Sequence, residues 1–424
     1  MSENTQRASI FSLPVLSWAL YDLANTMFSM SIVSLYFPLW VVNVMGGTDQ
    51  LYGNANAFSM ALMFLTAPVL GAISDQANRR MPFLIASTLL CVLFTALLGI
   101  GGLLLSILFF IIANYMFQAG LIFYDALLSE VSTMDNRGRV GGLGIGLGYM
   151  GSFIIVGLGL MVVREEAPET LVTMFRLTAI LFLLFALPCF LFVKERQRRA
   201  AGISWHVVQG AFLQVKHTVA HARMFPGLLR FLVGRVFYTD PVNTVIVFMG
   251  VYVTNEVGFT TTEAQVLLLV AIAAAVVGGF LWGIVVDRQG PKRTLNMVLI
   301  LWMLVFAMAI GIAVFQLSKN LFWIAGGLAG VALGGTWAAD RPWMLVLSPP
   351  RYLGEFYGLY SMAGRFASIV GPFMWGVVVN TLGWGRPAAV GLLLVLIVIA
   401  FGILQKVDDA PRDWPPELRI AASG

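Results

Sequence analysis

Gly283-Ile-Val-Val-Asp287-Arg288-Gln-Gly290-Pro-Lys292-Arg293 closes one long apolar run and opens the next. Gly71-Ala-Ile-Ser-Asp75-Gln-Ala-Asn-Arg79-Arg80 stands at the same kind of boundary, 212 residues earlier in a chain of 424. A second echo accompanies the first. Tyr21-Asp22-Leu-Ala-Asn25-Thr26 and Tyr238-Thr-Asp240-Pro-Val-Asn243-Thr244 both hold Asp-x-x-Asn-Thr, 218 residues apart. Two echoes in the same order at nearly the same offset mark a duplication of half the chain, the pattern of parallel membrane repeats.

The runs around these echoes are hydrocarbon-like. Hydrophobic residues make up 59% of the chain and charged residues 11%, against roughly 25% charged in a soluble domain; mean hydropathy is +0.86. Too few charges remain to cover a globular surface, so lipid is part of the solvent. A helix needs about 20 apolar residues to cross a bilayer. Spans are predicted at 13–44, 55–74, 82–101, 104–129, 141–163, 172–193, 227–254, 262–286, 294–316, 320–346, 357–381 and 387–405. Spans three and four are separated only by Gly99, Gly101 and Gly102. The expected fold is an all-α membrane protein: twelve transmembrane helices in two pseudo-symmetric six-helix bundles. The bundles are placed at 1–193 and 227–405, with a cytoplasmic linker holding an amphipathic helix at 194–226 and a cytoplasmic tail at 406–424.

Cations orient the chain. Of 26 Lys and Arg residues, Arg164, Lys319 and Arg386 fall in loops opposite the N-terminus, with Arg176 at the end of its helix on that side. Arg235, Arg341 and Arg365 fall within spans; the rest lie on the N-terminal side, which the positive-inside rule makes cytoplasmic. Both termini are therefore expected inside. The polar start, MSENTQRAS, and the length of the apolar stretch after it read as a first span rather than a cleavable leader. The net charge of +5 is a topology signal, and no nucleic-acid partner is expected. Cys91 and Cys189 lie inside apolar runs, where thiols pack as small hydrophobes. His206, His217 and His221 all lie in the linker without a nearby Cys or carboxylate, so a solvated face is expected and no metal. No cofactor is expected. The run Gly141-Gly-Leu-Gly-Ile-Gly-Leu-Gly148 sits inside a span with no Gly-Lys-Ser/Thr after it, and reads as helix packing rather than phosphate binding.

A carboxylate near the bilayer centre costs about 2.5–3.5 kcal/mol on insertion scales and demands a partner or water. Asp22, Asn25 and Thr26 share one helix face, as do Asp240, Asn243 and Thr244. Each face sets a titratable acceptor beside an amide and a hydroxyl, which suits proton coupling or recognition of a polar solute. The alternative is interhelical hydrogen bonding that only fixes packing. Pro241 removes a backbone donor beside Asp240. Arg235, Arg341 and Arg365 each require an anion, with Asp240, Asp340, Asp125 or a substrate carboxylate or phosphate as candidates. Arg365 is the first choice for an anionic group or for pairing with Asp22 or Asp240. Together with Tyr238 these form the candidate substrate and coupling-ion set.

The loop echo resembles the signature of the major facilitator superfamily, Gly-x-x-x-Asp-Arg/Lys-x-Gly-x-Arg/Lys-Arg/Lys. The copy at Gly283 fits every position, and the copy at Gly71 departs at Gln76 and Asn78. The resemblance implies a gating role for Asp75, Arg79, Arg80, Asp287, Arg288, Lys292 and Arg293, which Asp125 is expected to join from low on the fourth helix. More narrowly, Trp18-Ala-Leu-Tyr-Asp22-Leu-Ala-Asn25 with Tyr36-Phe-Pro38 resembles the opening of the vacuolar-effluxer-like branch. So do Arg235-Val-Phe-Tyr238-Thr-Asp240, Pro349-Pro350, Glu355-Phe-Tyr-Gly358-Leu-Tyr360, Gly364-Arg365 and Gly371-Pro372. Ala339-Asp340-Arg341-Pro342 stands where that branch tends to show Ser-Arg-Ser. The eponymous fungal members export amino acids from the vacuole. The resemblance therefore implies a secondary transporter moving a small, amino-acid-like solute by alternating access with proton coupling. A cation-coupled sugar carrier, or a non-transporting assembly or lipid-handling protein, are the alternatives. An enzyme is not expected. A proton or sodium ion, the bilayer and a small-molecule substrate are the expected partners of a monomer in a bacterial plasma membrane.

Overall fold

The computed structural model describes residues 11–76, 79–132, 137–164, 166–195, 216–349, 352–408, 414–415 and 418. Regular structure among them is helical, apart from an isolated bridge between Arg164 and Ala167. In chain order the helices are α1 Leu13–Val44, α2 Asp49–Gln76, α3 Met81–Ala96, α4 Leu103–Val131, α5 Arg137–Val162, α6 Glu169–Phe192, α7 Leu228–Asn255, α8 Thr261–Gln289, α9 Pro291–Val314, α10 Leu321–Leu347, α11 Leu353–Gly376 and α12 Gly385–Gln405. Among the described residues, 10 helices are long and apolar enough to cross a membrane. Met81–Ala96 and the apolar part of α5, Gly146–Val162, are shorter.

The helix ends follow local chemistry. Pro occupies the first turn of α1, α3 and α9, where its missing N–H costs nothing. Thr260 and Glu263 form a reciprocal capping box on α8. The third span was expected to reach residue 101, but α3 stops at Ala96. Gly99, Gly101 and Gly102 all take positive φ, between 76° and 87°, a conformation that ends a right-handed helix. Pro241 lies inside an unbroken α7. The departures from α-geometry lie elsewhere: α1 is π-helical over Ser29–Leu35 and Trp40–Val44, and α11 continues as a π turn over Val377–Thr381.

The described residues fall into two compact units, one within 1–40 and 65–209, the other within 41–64 and 210–424. In the first unit α1 packs on α5 and α6, and α3 packs on α4 and α6. In the second, α7 packs on α11 and α12, and α9 packs on α10 and α12. The pairing recurs with every helix number raised by six. Glycines permit the closest approaches. Gly326, Gly330 and Gly334 of α10 lie against Leu267, Ala271 and Ala275 of α8, in steps of four on both helices. Of the linker, 196–215 lies outside the described residues, and 216–222 is helical.

Candidate substrate and coupling site

The second unit buries an ion cluster. Arg235 of α7 is 4% exposed and Asp340 of α10 is 0% exposed. Arg235 donates from Nε to Asp340 Oδ2 at 3.1 Å and from Nη1 to the Tyr360 carbonyl at 3.0 Å. Its guanidinium lies 3.6 Å above the Tyr360 ring. Tyr238 Oη donates to Asp340 Oδ1 at 2.6 Å, and Tyr360 Oη to Oδ2 at 2.7 Å. Both carboxylate oxygens are thus bonded, and the charge of Arg235 is matched inside protein, as an ion in low dielectric requires. Gly364 makes room for it: a Cβ there would lie 2.7 Å from Arg235 Nη1. Of the embedded cations, Arg235 has Asp340 as its anion rather than Asp240.

Asp240 is arranged differently. It is 3% exposed, and its Oδ1 accepts the backbone N–H of Gly371 on α11 at 2.6 Å. Its Oδ2 is buried without a partner among the described residues, as is Thr244 Oγ1 one turn on. Asn243 donates to Ser368 Oγ at 2.9 Å. Gly371 is required by this face. A Cβ there would run into Thr244 Oγ1 and lie 2.7 Å from Asp240 Oδ1.

The first unit repeats the arrangement. A Cβ at Gly148 of α5 would lie 2.9 Å from Thr26 Oγ1 and 3.2 Å from Asp22 Oδ2. A Cβ at Gly151 would run into the Leu23 carbonyl. Thr26 Oγ1 donates to the Asp22 carbonyl at 3.0 Å; Asn25 is buried and Asp22 half-buried. Each Asp-x-x-Asn-Thr face therefore rests on a glycine of the fifth helix of its own half. Here the chemistry beneath is aromatic: Trp18 stacks on Tyr124 at 4.7 Å and Tyr21 on Tyr124 at 4.9 Å. Tyr21 Oη shares a hydrogen bond with Thr88.

The other predicted cations scatter. Arg341 is exposed on α10 and makes no hydrogen bond or ion pair with another described residue. Arg365 is half-buried on α11. Of the gating set, the Asp75 side chain lies outside the described residues. Arg79, Asp125, Asp287, Arg288 and Arg293 are exposed. Arg80 is buried and donates to the Ala126 carbonyl at 3.0 Å. Lys292 donates to the Gln405 carbonyl at 3.2 Å, and Arg230 to the Lys406 carbonyl at 2.9 Å. Both cations sit where the macrodipole of α12 ends negative. Glu195 was not singled out in the sequence. It accepts the backbone N–H groups of Arg80 and Met81, each at 2.8 Å, and so caps α3.

A sequence profile described as vacuole effluxer Atg22 like matches residues 48–411. The chain belongs to that family. Its likeness to an uncharacterised MFS-type transporter of Bacillus subtilis, YxiO, is 29% identity over 412 residues, 93% of this chain and 94% of that one. Autophagy-related protein 22 of Coccidioides immitis is 26% identical over 66% of this chain and 50% of its own length. Among solved structures, a bacterial homologue of the human lysosomal transporter Spinster superposes with TM-score 0.69 at 13% identity, over 98% of this chain and 100% of that one. A D-xylose–proton symporter gives 0.71 at 14% identity, over 95% and 99%. These two show the fold. This member of the Atg22-like family is a multi-pass membrane transporter of the major facilitator type.

Proposed function

We propose that the protein is a proton-coupled secondary transporter of a small amino-acid-like solute, working by alternating access, with Asp240 carrying the coupling proton. One observation carries the reading: Asp240 Oδ1 is held by the Gly371 N–H while Oδ2 is buried with no partner among the described residues. A proton on Oδ2 turns an orphaned acceptor into a donor and removes a charge from hydrocarbon. Asp22, with Asn25 and Thr26 on Gly148, is the equivalent position of the first half. Arg341 of α10 offers the cation for a substrate carboxylate, with Arg365 of α11 as a second. Arg235 and Tyr238 act through Asp340 and hold α7 against α10 and α11. Asp75, Arg79, Arg80, Asp125, Asp287, Arg288, Lys292 and Arg293 form the cytoplasmic gate.

On this reading α3 and α5 complete twelve spans in two six-helix bundles, 1–193 and 227–405, joined by the 194–226 linker. Both termini face the cytoplasm of a bacterial cell, and the monomer is the working unit. Uptake by proteoliposomes under imposed pH or sodium gradients, against a panel of amino acids and sugars, tests it. A pH gradient is expected to drive amino-acid accumulation. Asp240→Asn is expected to abolish accumulation while leaving exchange measurable. Normal accumulation by Asp240→Asn removes the coupling role. Flux driven by sodium alone, or of sugars alone, replaces the reading with a cation-coupled sugar carrier.

A further inference from the structure

The end of α12 gathers cations from two other helices. Arg230, in the first turn of α7, reaches the Lys406 carbonyl at 2.9 Å, and Lys292, in the first turn of α9, reaches the Gln405 carbonyl at 3.2 Å. The two carbonyls are consecutive, so both cations meet over one helix end, beside the exposed Lys406 side chain. Their anchors are neutral: Arg230, Lys292 and Lys406 form no ion pair with a described residue. A guanidinium has five N–H donors and an ammonium three, so each anchored group keeps donors for an anion. Arg288 and Arg293 are exposed on either side of the turn from α8 to α9. Over 228–230, 286–296 and 402–408, five cations stand against two acids, Asp287 and Asp408.

The charges head two matching stripes. α9 carries Lys292, Asn296, Ile300 and Leu304 in steps of four, one face of a helix. α12 runs the other way and carries Val395, Ile399, Gly402 and Lys406 at i, i+4, i+7 and i+11. The helices pack together, and Gln405 Nε2 donates to Asn296 Oδ1 at 3.2 Å beside the charges. Ile300, Leu304, Val395 and Ile399 are between 40% and 54% exposed. Gly402 leaves a notch one turn from Lys406: a Cβ there would meet nothing within 4 Å. Capping the negative end of α12 accounts for a cation at that end. It accounts neither for the surplus of cations nor for the notch and the exposed stripes beyond it. From the helix ends inward the seam runs cation, gap, hydrocarbon, which is the order of phosphate, glycerol and acyl chain in a phospholipid.

We propose that the seam between α9 and α12 is a binding site for an anionic phospholipid. Arg230, Lys292 and Lys406 hold its phosphate, the Gly402 notch admits its glycerol backbone, and the apolar stripes carry an acyl chain. The site is separate from the solute and coupling assignments. The full chain in neutral detergent is titrated with phosphatidylglycerol, with phosphatidylcholine of the same chains, and with glycerol phosphate, and bound lipid is counted by native mass spectrometry. Phosphatidylglycerol is expected to bind at least tenfold tighter than phosphatidylcholine. Lys292→Gln is expected to weaken it about fivefold, the usual effect of one cation near an anionic membrane surface, and Lys292→Arg to preserve it. Replacing Arg230, Lys292 and Lys406 together by Gln is expected to erase the preference. Gly402→Leu fills the notch without touching a cap, and is expected to weaken both lipids at least fivefold with the melting temperature unchanged. It keeps the test open should the triple variant not fold. Lys319→Gln, away from the seam, is expected to change nothing. Equal affinity of the parent for the two lipids overturns the proposal. Displacement of phosphatidylglycerol by an equal concentration of glycerol phosphate makes this a soluble-anion site and overturns the lipid assignment. Full affinity in Gly402→Leu leaves only diffuse attraction to an anionic surface, and overturns the seated lipid.

Discussion

Asp340→Asn removes the anion from the buried cluster while keeping its shape. In the parent protein Asp340 accepts from Arg235, Tyr238 and Tyr360, at 3.1, 2.6 and 2.7 Å. Asn retains one acceptor oxygen, so one tyrosine keeps a neutral bond worth about 1 kcal/mol. The greater loss falls on Arg235, which is 4% exposed and cannot shed its proton. Removing one partner of a buried pair costs about 3–5 kcal/mol in soluble proteins. Interhelical hydrogen bonds in bilayers average only about 0.6 kcal/mol because the dispersed helices also find partners. Arg235 still keeps the Tyr360 carbonyl and ring, so the stranded charge outweighs this discount, and Asp340→Asn is expected to lose about 2–4 kcal/mol. Arg235→Met alone strands Asp340 and is expected to lose as much. The double variant buries no charge and is expected to cost at least about 2 kcal/mol less than the two singles combined. Equilibrium unfolding of purified protein in SDS, followed by circular dichroism, measures the cycle. Additive singles, or an Asp340→Asn loss below about 1 kcal/mol, would refute the claim that charge pairing holds α7 to α10.

Gly146 and Gly148 lie on one helix but face different surroundings, so Ala should act with opposite signs. At Gly146, where a Cβ meets nothing within 4 Å, Ala is expected to raise stability by up to about 1 kcal/mol through helix propensity. At Gly148, Ala crowds Thr26 and Asp22 and is expected to cost about 1–2 kcal/mol; melting in detergent compares the two. Gly371→Ala is expected to cost about 1–3 kcal/mol and to lower proton-driven uptake more than exchange, since it pushes the Asp240 and Thr244 face away. Lys319→Ala is the control. Its pair with Glu263 is 43% and 31% exposed, so stability should change by less than about 1 kcal/mol.

Period and hydropathy made the helices legible. A run of 20 apolar residues has one outcome in lipid, and boundaries such as 13–44 and 387–405 fall within two residues of α1 and α12. The small-residue stripe from Gly326 to Gly334 read directly as close packing, because glycine at spacing four has few other uses in a membrane helix. What escaped depends on which faces meet. Asp340 stood among several candidate anions for three arginines, and nothing in α10 alone tells which of them it reaches. Tyr360 was visible only as part of a motif. Gly148 was noticed as part of a glycine run, but its role comes from facing Asp22 rather than from its neighbours in sequence. Arg386 read as a loop cation and Asp49 was not singled out, yet the two are paired at 2.8 Å. Their pairing joins the start of α2 to the start of α12, a separation over which sequence periodicity carries no signal.

The duplication also shows where the two halves parted. Trp18 and Arg235 stand 217 residues apart, Tyr124 and Asp340 216 apart, close to the offset of the Asp-x-x-Asn-Thr faces. In the first unit those positions hold a stacked aromatic pair at 4.7 Å. In the second they hold an ion pair at 3.1 Å. Such a stack contributes about 0.5–1.5 kcal/mol beyond its buried area and tolerates small shifts of one ring over another. The ion pair tolerates little, since separating the charges strands both. The first half therefore keeps a neutral, adaptable floor beneath Asp22, and the second keeps a rigid charged one beneath Asp240. On the proposed reading this divides the labour between equivalent sites. Asp240, held by Gly371 on a helix pinned through Tyr360, has the fixed surroundings that a proton-coupling carboxylate needs, and Asp22 has the freedom to follow a solute.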